Sequence, residues 1–403
     1  IEDPYWGRNE YSLRWIAQRQ WRISRTFEVT EKQYNLVLSQ LDCVASVLIN
    51  GESVLETDNA FREYTADLAD VLKIGQNHIE IVFHSNPQEA DKRQSKQPFR
   101  VPYIAHNNPI GNGNMLRKTQ CDFGWDWNIA LAPFGLYGAI KLVPNDQPLI
   151  DQIIVQQTHE AGSVSLTVSV HLLQKCPNNF EMIASINSQE MAENCANKSQ
   201  VDFDFTINDA KLWWPAGLGE QPLYPLEITL GEQKIIRQIG LRKTELHLPE
   251  EPSGTGFVLK LNDQSVFAKG ANWIPADALA GKITREETRK LLQSAVDANM
   301  NMIRVWGGGR YEADWFYELC DQMGLMVWQD FMFSCNLYPS DNEFLENVQV
   351  EVAQNVARLQ HHASIVLWCG DNELVGALTW FEESINNRDR YLVAYDRLNR
   401  TIE

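Results

Sequence analysis

Residues 301–333 read NMIRVWGGGRYEADWFYELCDQMGLMVWQDFMF. The run ending at Val305-Trp306 is short and apolar, and three glycines, Gly307 to Gly309, stop it. Trp315, Phe316, Leu319 and Met323 then recur at helical spacing, and Gly324 follows as the expected C′ residue of that helix. A second apolar run, LMVWQDFMF (325–333), comes next. Strands that are apolar throughout and alternate with amphipathic helices predict parallel βα units, because such strands are buried on both faces.

The same alternation extends on both sides. VFAKGANWIP (266–275) reads as a strand. Thr284 and Glu287 form a capping box, ahead of a helix expected to carry Leu291, Leu292, Ala295 and Val296 on one face. Phe344, Val348, Val352 and Val356 mark a further helix at i+4 steps, and SIVLWCGDNE (364–373) a fourth strand. Four βα units fit, where a closed (β/α)₈ barrel needs eight. Upstream of about residue 248 the period changes to two. Tyr34, Leu36 and Leu38 alternate with polar residues, as do Ile79, Ile81 and Phe83 of HIEIVFH (78–84). Asn50-Gly51 between SVLI and SVLE is a two-residue hairpin signal, since both residue types tolerate positive φ. Val164 to Leu172 and Val201 to Phe205 alternate strictly, over a length that fits an immunoglobulin-like sandwich. The expected division is 1–144 and 145–247, both β-sandwiches, then 248–403 as βα units.

Composition narrows the function. The 403 residues carry 35 Lys and Arg against 53 Asp and Glu, a formal charge of −18. Such a surface repels nucleic acid and anionic membranes and tolerates a neutral ligand. No stretch of about 20 apolar residues is present to span a bilayer. The seven cysteines have no CxxC and no metal-ligand spacing, so they read as free thiols of a reducing compartment. The 13 tryptophans fill aromatic cores or stack on the apolar faces of sugar rings.

Glu373 ends the fourth apolar strand. In a parallel barrel the C-terminal strand ends form the active-site face, so a carboxyl group there is placed to donate a proton, although a surface Glu capping the next helix reads equally well. IVLWCGDNE (365–373) resembles the acid/base strand of family 2 glycoside hydrolases. The 301–333 stretch and FAKGANWIPAD (267–277) resemble other barrel units of that family, in its β-mannosidase-like subgroup. LWWPAGLGEQPLYPLEITL (212–230) is similar to the strand run closing the family's immunoglobulin-like domain. CDFGWDWN (121–128) is similar to a loop of its N-terminal sugar-binding jelly roll. Trp306 followed by Gly307-Gly308-Gly309 is the mannosidase-like form of the run after the second strand.

The resemblance implies a jelly-roll sugar-binding sandwich, an immunoglobulin-like sandwich and the first half of a (β/α)₈ barrel. It implies a retaining exo-glycosidase acting on terminal non-reducing β-D-mannose of oligosaccharides or glycoconjugates, without metal or other cofactor. Exo-chitosanase-like activity, transglycosylation, and a non-catalytic carbohydrate-binding fragment are the competing expectations. By resemblance Glu373 is the acid/base and Asn372 contacts the sugar 2-hydroxyl. Arg304 neighbours the nucleophile, or forms a barrel salt bridge. Trp125 and Asp126 enter the site from the first domain, Trp306 and Trp273 wall the sugar pocket, and Cys335 lines it. Trp127 and Trp328 are expected in cores, with Asp330 one layer behind the sugar. Asp371 should point away from Glu373, and Glu312 should start the second helix. The pattern departs at Ala363, where the family has Pro, which puts the turn before strand four in doubt. It also departs at Asp371, where Asn is common. No second Glu in a Ser-Glu-Phe-like motif follows Glu373, so residues 1–403 alone are expected to be inactive and to continue into a longer protein. A cytoplasmic location is expected, with periplasmic, secreted or lysosomal alternatives.

Overall fold

The computed structural model describes residues 1–145, 147–176 and 180–403. Asn50 and Gly51 take positive φ, 53° and 88°, and turn Ala45–Ile49 back into Glu52–Thr57. That hairpin joins Gly75–Phe83 and Trp21–Val29 in a four-stranded antiparallel sheet. A second sheet orders Glu63–Asp67, Tyr34–Ser39 and Ile140–Pro144. The alternating residues meet between the two sheets: Leu36 and Leu38 pack with Val47, Ile49, Ile81 and Phe83. This is the first sandwich.

The second sandwich packs Ile150–Glu160, Ser163–Leu172 and Gln200–Asn208 against Gln189–Asn194, Glu181–Ile186, Tyr224–Leu230 and Gln233–Ile239. Val164, Leu166, Val168 and Val170 face inward opposite Ile207, Phe205, Phe203 and Val201. Period two in the sequence is thus the pleat of a half-buried strand. The cysteines, dispersed in sequence, are less so in space. All seven are thiols, and the buried Cys176 and Cys195 sulfurs lie 3.0 Å apart. The strand Thr244–His247 pairs with Val258–Leu261, so one small sheet straddles the division expected at residue 247.

Four parallel strands then run in sequence order: β1 (Gly270–Trp273), β2 (Met302–Val305), β3 (Met326–Asp330) and β4 (Ile365–Cys369). Helices α1 (Arg285–Asp297), α2 (Asp314–Met323) and α3 (Asn342–Leu359) connect them, and α4 (Arg388–Ile402) follows β4. β1 is shorter than its apolar run, because Val266 N–H bonds back to Leu259 O and withdraws the start of the run into the preceding sheet. Gly270 then enters β1 so close to β2 that a Cβ there would lie 1.9 Å from Met302 O. Thr284 caps α1 by accepting from Glu287 N–H at 3.3 Å, as its sequence predicts. Leu291, however, is exposed while Leu292 is fully buried, since adjacent helical residues diverge by about 100° and only one of them can face the sheet. Gly324 ends α2 in the left-handed region, with φ 72°.

The turn before β4 is held without proline. Asp321, buried on α2, accepts from His362 Nδ1 at 2.6 Å and from Ser364 N–H at 2.7 Å. The Arg242 guanidinium donates to Ala363 O at 2.8 Å and Ile365 O at 2.6 Å. Trp213 is fully buried and gives its indole N–H to Asp321 O at 2.8 Å, so the second sandwich seats on this end of the half-barrel. Among the described residues no helix is long and apolar enough to cross a membrane.

Candidate active site

The opposite, C-terminal ends of β1–β4 gather the polar residues. Asp330 closes β3, has no exposed surface, and is bound at both oxygens by Arg304 of β2, at 2.7 and 3.3 Å. Gly307 N–H donates to it at 3.0 Å. A bidentate pair with a backbone donor fixes the arginine plane. Two more Arg304 hydrogens go to Asn372 Oδ1 at 2.8 Å and Asn272 Oδ1 at 3.3 Å, and its guanidinium lies 5.2 Å from the centre of the Trp328 ring. Arg304 is therefore both a barrel ion pair and a partner of Asn372, the residue before Glu373. Trp328 is partly buried and covered by that cation. Burial pushes the Asp330 carboxyl up to about 6, although Arg304 pulls the other way.

Asn372 is buried, with its amide oriented by this network. Oδ1 accepts from Arg304, so Nδ2 points to Cys335 Sγ at 3.2 Å and Glu373 Oε2 at 3.4 Å. Glu373 does not end the strand. β4 stops at Cys369, and Glu373 sits beyond a turn with φ 67°, at the N-cap of a short helix, Leu374–Ala377. The turn is pinned by paired backbone bonds, Asn372 N–H to Phe333 O at 3.0 Å and Cys335 N–H to Asn372 O at 2.9 Å. Cys335, itself at φ 54°, donates its thiol to Glu373 Oε2 at 3.1 Å. Burial pushes that thiol up to about 12, so it remains a neutral donor. Glu373 is thus held on an αL turn with Oε2 engaged, and its side chain is exposed.

The first sandwich reaches the same face. Cys121 N–H bonds Gly308 O at 3.0 Å, docking the GWDW loop on the glycine turn after β2. Gly308 has to be glycine, since a Cβ would enter the Trp306 ring. Trp125 and Asn128 close the loop with reciprocal backbone bonds of 3.2 Å. The Trp125 ring then meets Trp306 edge-on at 4.9 Å, and Trp127 does so at 5.7 Å. Asp126 between them faces solvent. Trp127 was expected in the sandwich core but is 44% exposed, because the tight turn swings it out of the sandwich toward the barrel. Beneath the loop lies a buried Lys118, bonded to Asp122 and paired with Asp42 at 3.3 Å. This support went unread in the sequence, although the i,i+4 spacing of Lys118 and Asp122 was there to signal it.

Three other carboxylates are committed elsewhere. Asp330 holds Arg304. Asp371 accepts from Leu374 N–H at 2.9 Å, capping the short helix. Glu312 does not start α2, which begins at Asp314 after Ala313; it is buried and takes the Trp273 indole N–H at 3.0 Å. Trp273 consequently packs on Phe316, ring centres 5.0 Å apart, with its polar edge turned to Glu312. Asn272, which sequence reading passed over, joins the site through Arg304.

Two β-sandwiches followed by four parallel βα units, with ionisable and amide side chains gathered at and just past the C-terminal strand ends, define the class of fold. Residues 1–138 match the glycosyl hydrolase 2 galactose-binding domain-like family, and residues 149–242 match glycosyl hydrolases family 2. The chain belongs to glycosyl hydrolases family 2. It is 33% identical to a beta-mannosidase of Bos taurus, over 98% of this chain and 48% of the relative. To that of Capra hircus it is 35% identical, over 98% and 48%. The crystal structure of a beta-D-mannosidase from Dictyoglomus thermophilum superposes with a TM-score of 0.87 at 34% identity, covering 93% of this chain and 48% of that one. An exo-chitosanase from Amycolatopsis orientalis shares the fold, with a TM-score of 0.68 at 17% identity, over 91% and 43%. The chain spans about half the length of the curated relatives it matches.

Proposed function

We propose that the protein carrying this chain is a retaining exo-β-mannosidase, with Glu373 as acid/base. The observation that carries this reading is the Asp330–Arg304–Asn372 relay ending on Glu373, on the face where the GWDW loop meets Trp306. The mannosidase relatives support the sugar. Glu373 protonates the glycosidic oxygen as the bond to the leaving group breaks. A second carboxylate, about 5–5.5 Å away, attacks the anomeric carbon from the other face. Water, deprotonated by Glu373, then releases mannose with its configuration retained. Asp330, Asp371 and Glu312 are engaged in other bonds, so the attacking group is assigned, with the family resemblance, to a Glu on a later barrel strand. Asn372 meets the sugar 2-hydroxyl, Asp126 accepts from other sugar hydroxyls, and Trp125, Trp306 and Trp273 bound the pocket. Arg304 is the fixed cation beside the nucleophile, and Cys335 lines the pocket while aiming Glu373.

The full polypeptide of the gene, given the p-nitrophenyl β-D-glycosides of mannose, glucosamine, galactose and glucuronic acid, should favour the mannoside in kcat/KM by about a hundredfold. The first product seen by NMR should be β-mannose. Faster turnover of the glucosaminide, or α-mannose as first product, overturns the reading.

Asp330 sets a pH limit. Its carboxyl, raised to about 6, is charged above that pH and takes up a proton below it, releasing Arg304 and with it the Asn372 amide. In a kcat/KM profile on the mannoside, an acid limb near that value is expected. Asp330→Asn should be impaired at neutral pH and should lack the limb. An unchanged limb in this variant rules Asp330 out as its origin.

A further inference from the structure

The N-terminal segment carries an exposed indole to the rim of the candidate site. Tyr5 gives its hydroxyl to Asp277, four residues beyond the C-terminal end of β1, and Lys282 Nζ stands 4.7 Å from the centre of the Tyr5 ring. Farther along, Glu10 accepts from Ala130 N–H at 2.9 Å, and Arg14 Nε donates to Ala130 O at 3.1 Å. Ala130 lies just past the GWDW loop. The segment therefore bridges the loop after β1 and the loop that docks on the turn after β2. Between its anchors the backbone is fixed by turns, Trp6 N–H to Asp3 O at 3.2 Å and Asn9 N–H to Trp6 O at 3.1 Å, with Asn9 Nδ2 donating to Asp3 O at 2.8 Å. Trp6 on this braced turn is 77% exposed, and Trp127, three residues before the Ala130 anchor, is 44% exposed.

A braced, solvent-facing indole beside a sugar site offers an apolar plane to the C–H face of a pyranose ring, with no side-chain entropy left to lose beyond two torsions. We infer that Trp6, with Trp127, forms a subsite for the leaving-group sugar of a neutral β-linked oligosaccharide, on the outer side of the scissile bond. The inference rests on the mannosidase reading above. It assigns to residues 3–10 the work of recognising what is released, whereas the pocket residues recognise the mannose that is transferred.

The test compares Trp6→Ala and Trp6→Phe with wild type, all in the full polypeptide, on β-1,4-mannotriose and on β-mannosyl fluoride, whose leaving group has no ring. Trp6→Ala should lower kcat/KM for mannotriose about tenfold and leave the fluoride within about twofold of wild type. Trp6→Phe should recover most of the loss. No change on mannotriose, or an equal loss on both substrates, overturns the subsite and makes Trp6 a surface or packing residue. A wild-type enzyme inert toward both compounds removes the mannoside reading, and this inference with it.

Discussion

Glu373→Gln is expected to slow hydrolysis of β-mannosides with poor leaving groups by about 10²–10⁴-fold, the usual contribution of a positioned general acid. The substitution keeps the shape of the side chain and removes the proton to be transferred. Gln can still meet Cys335 and Asn372, so the turn at φ 67° should survive. Dinitrophenyl mannosides, whose leaving group departs without protonation, should still form the glycosyl-enzyme at near wild-type rate. That intermediate should then accumulate, because its hydrolysis has lost the base, and azide should release it as β-mannosyl azide. The measurement is a plot of kcat/KM against leaving-group pKa for variant and wild type, with the azide product identified. A uniform loss along the whole series would assign Glu373 a structural role.

Glu351→Gln should cost about 3–5 kcal/mol of stability, read from the denaturant midpoint at unchanged slope. Glu351 of α3 and Arg117 of the first sandwich are 0% and 1% exposed at their side chains and are joined by two bonds, of 2.6 and 2.8 Å. Arg117 also donates to Met332 O at 2.8 Å and lies 3.9 Å from the centre of the Phe333 ring. Glu351 further accepts from Asn59 Nδ2 at 2.9 Å and Tyr311 Oη at 3.2 Å. Removing the carboxylate charge leaves a buried guanidinium without its counter-ion between the two domains. The paired replacement Arg117→Met with Glu351→Leu should cost much less than Glu351→Gln, because no unpaired charge remains. A loss below about 1 kcal/mol in Glu351→Gln would mean that water reaches the pair. The same ion pair bears on the site, since it seats the sandwich that supplies the GWDW loop against the end of β3.

The sequence by itself determined the elements and their order. Period two, the Asn50-Gly51 turn, the Thr284 cap and the Gly324 stop are local rules that tertiary context did not override, so two sandwiches and four βα units were legible. The order of strands also drew attention to Glu373, just past the fourth of them, while the residues between Cys369 and Glu373 form a turn that the apolar run did not separate from the strand. The tertiary structure decided the rest. That Glu373 sits on a left-handed turn past β4, aimed by Cys335, depends on pairing between residues 333–335 and 372, which no local pattern announces. Whether Leu291 or Leu292 faces inward depends on where the sheet lies, not on the helix. The turn at Ala363 looked doubtful without proline, yet Asp321, 42 residues earlier, holds it. Trp127 left the core because a barrel stood beside the loop. In each case the deciding partner is distant in the chain, and a side chain's bonds are fixed only when folding brings that partner within about 3 Å.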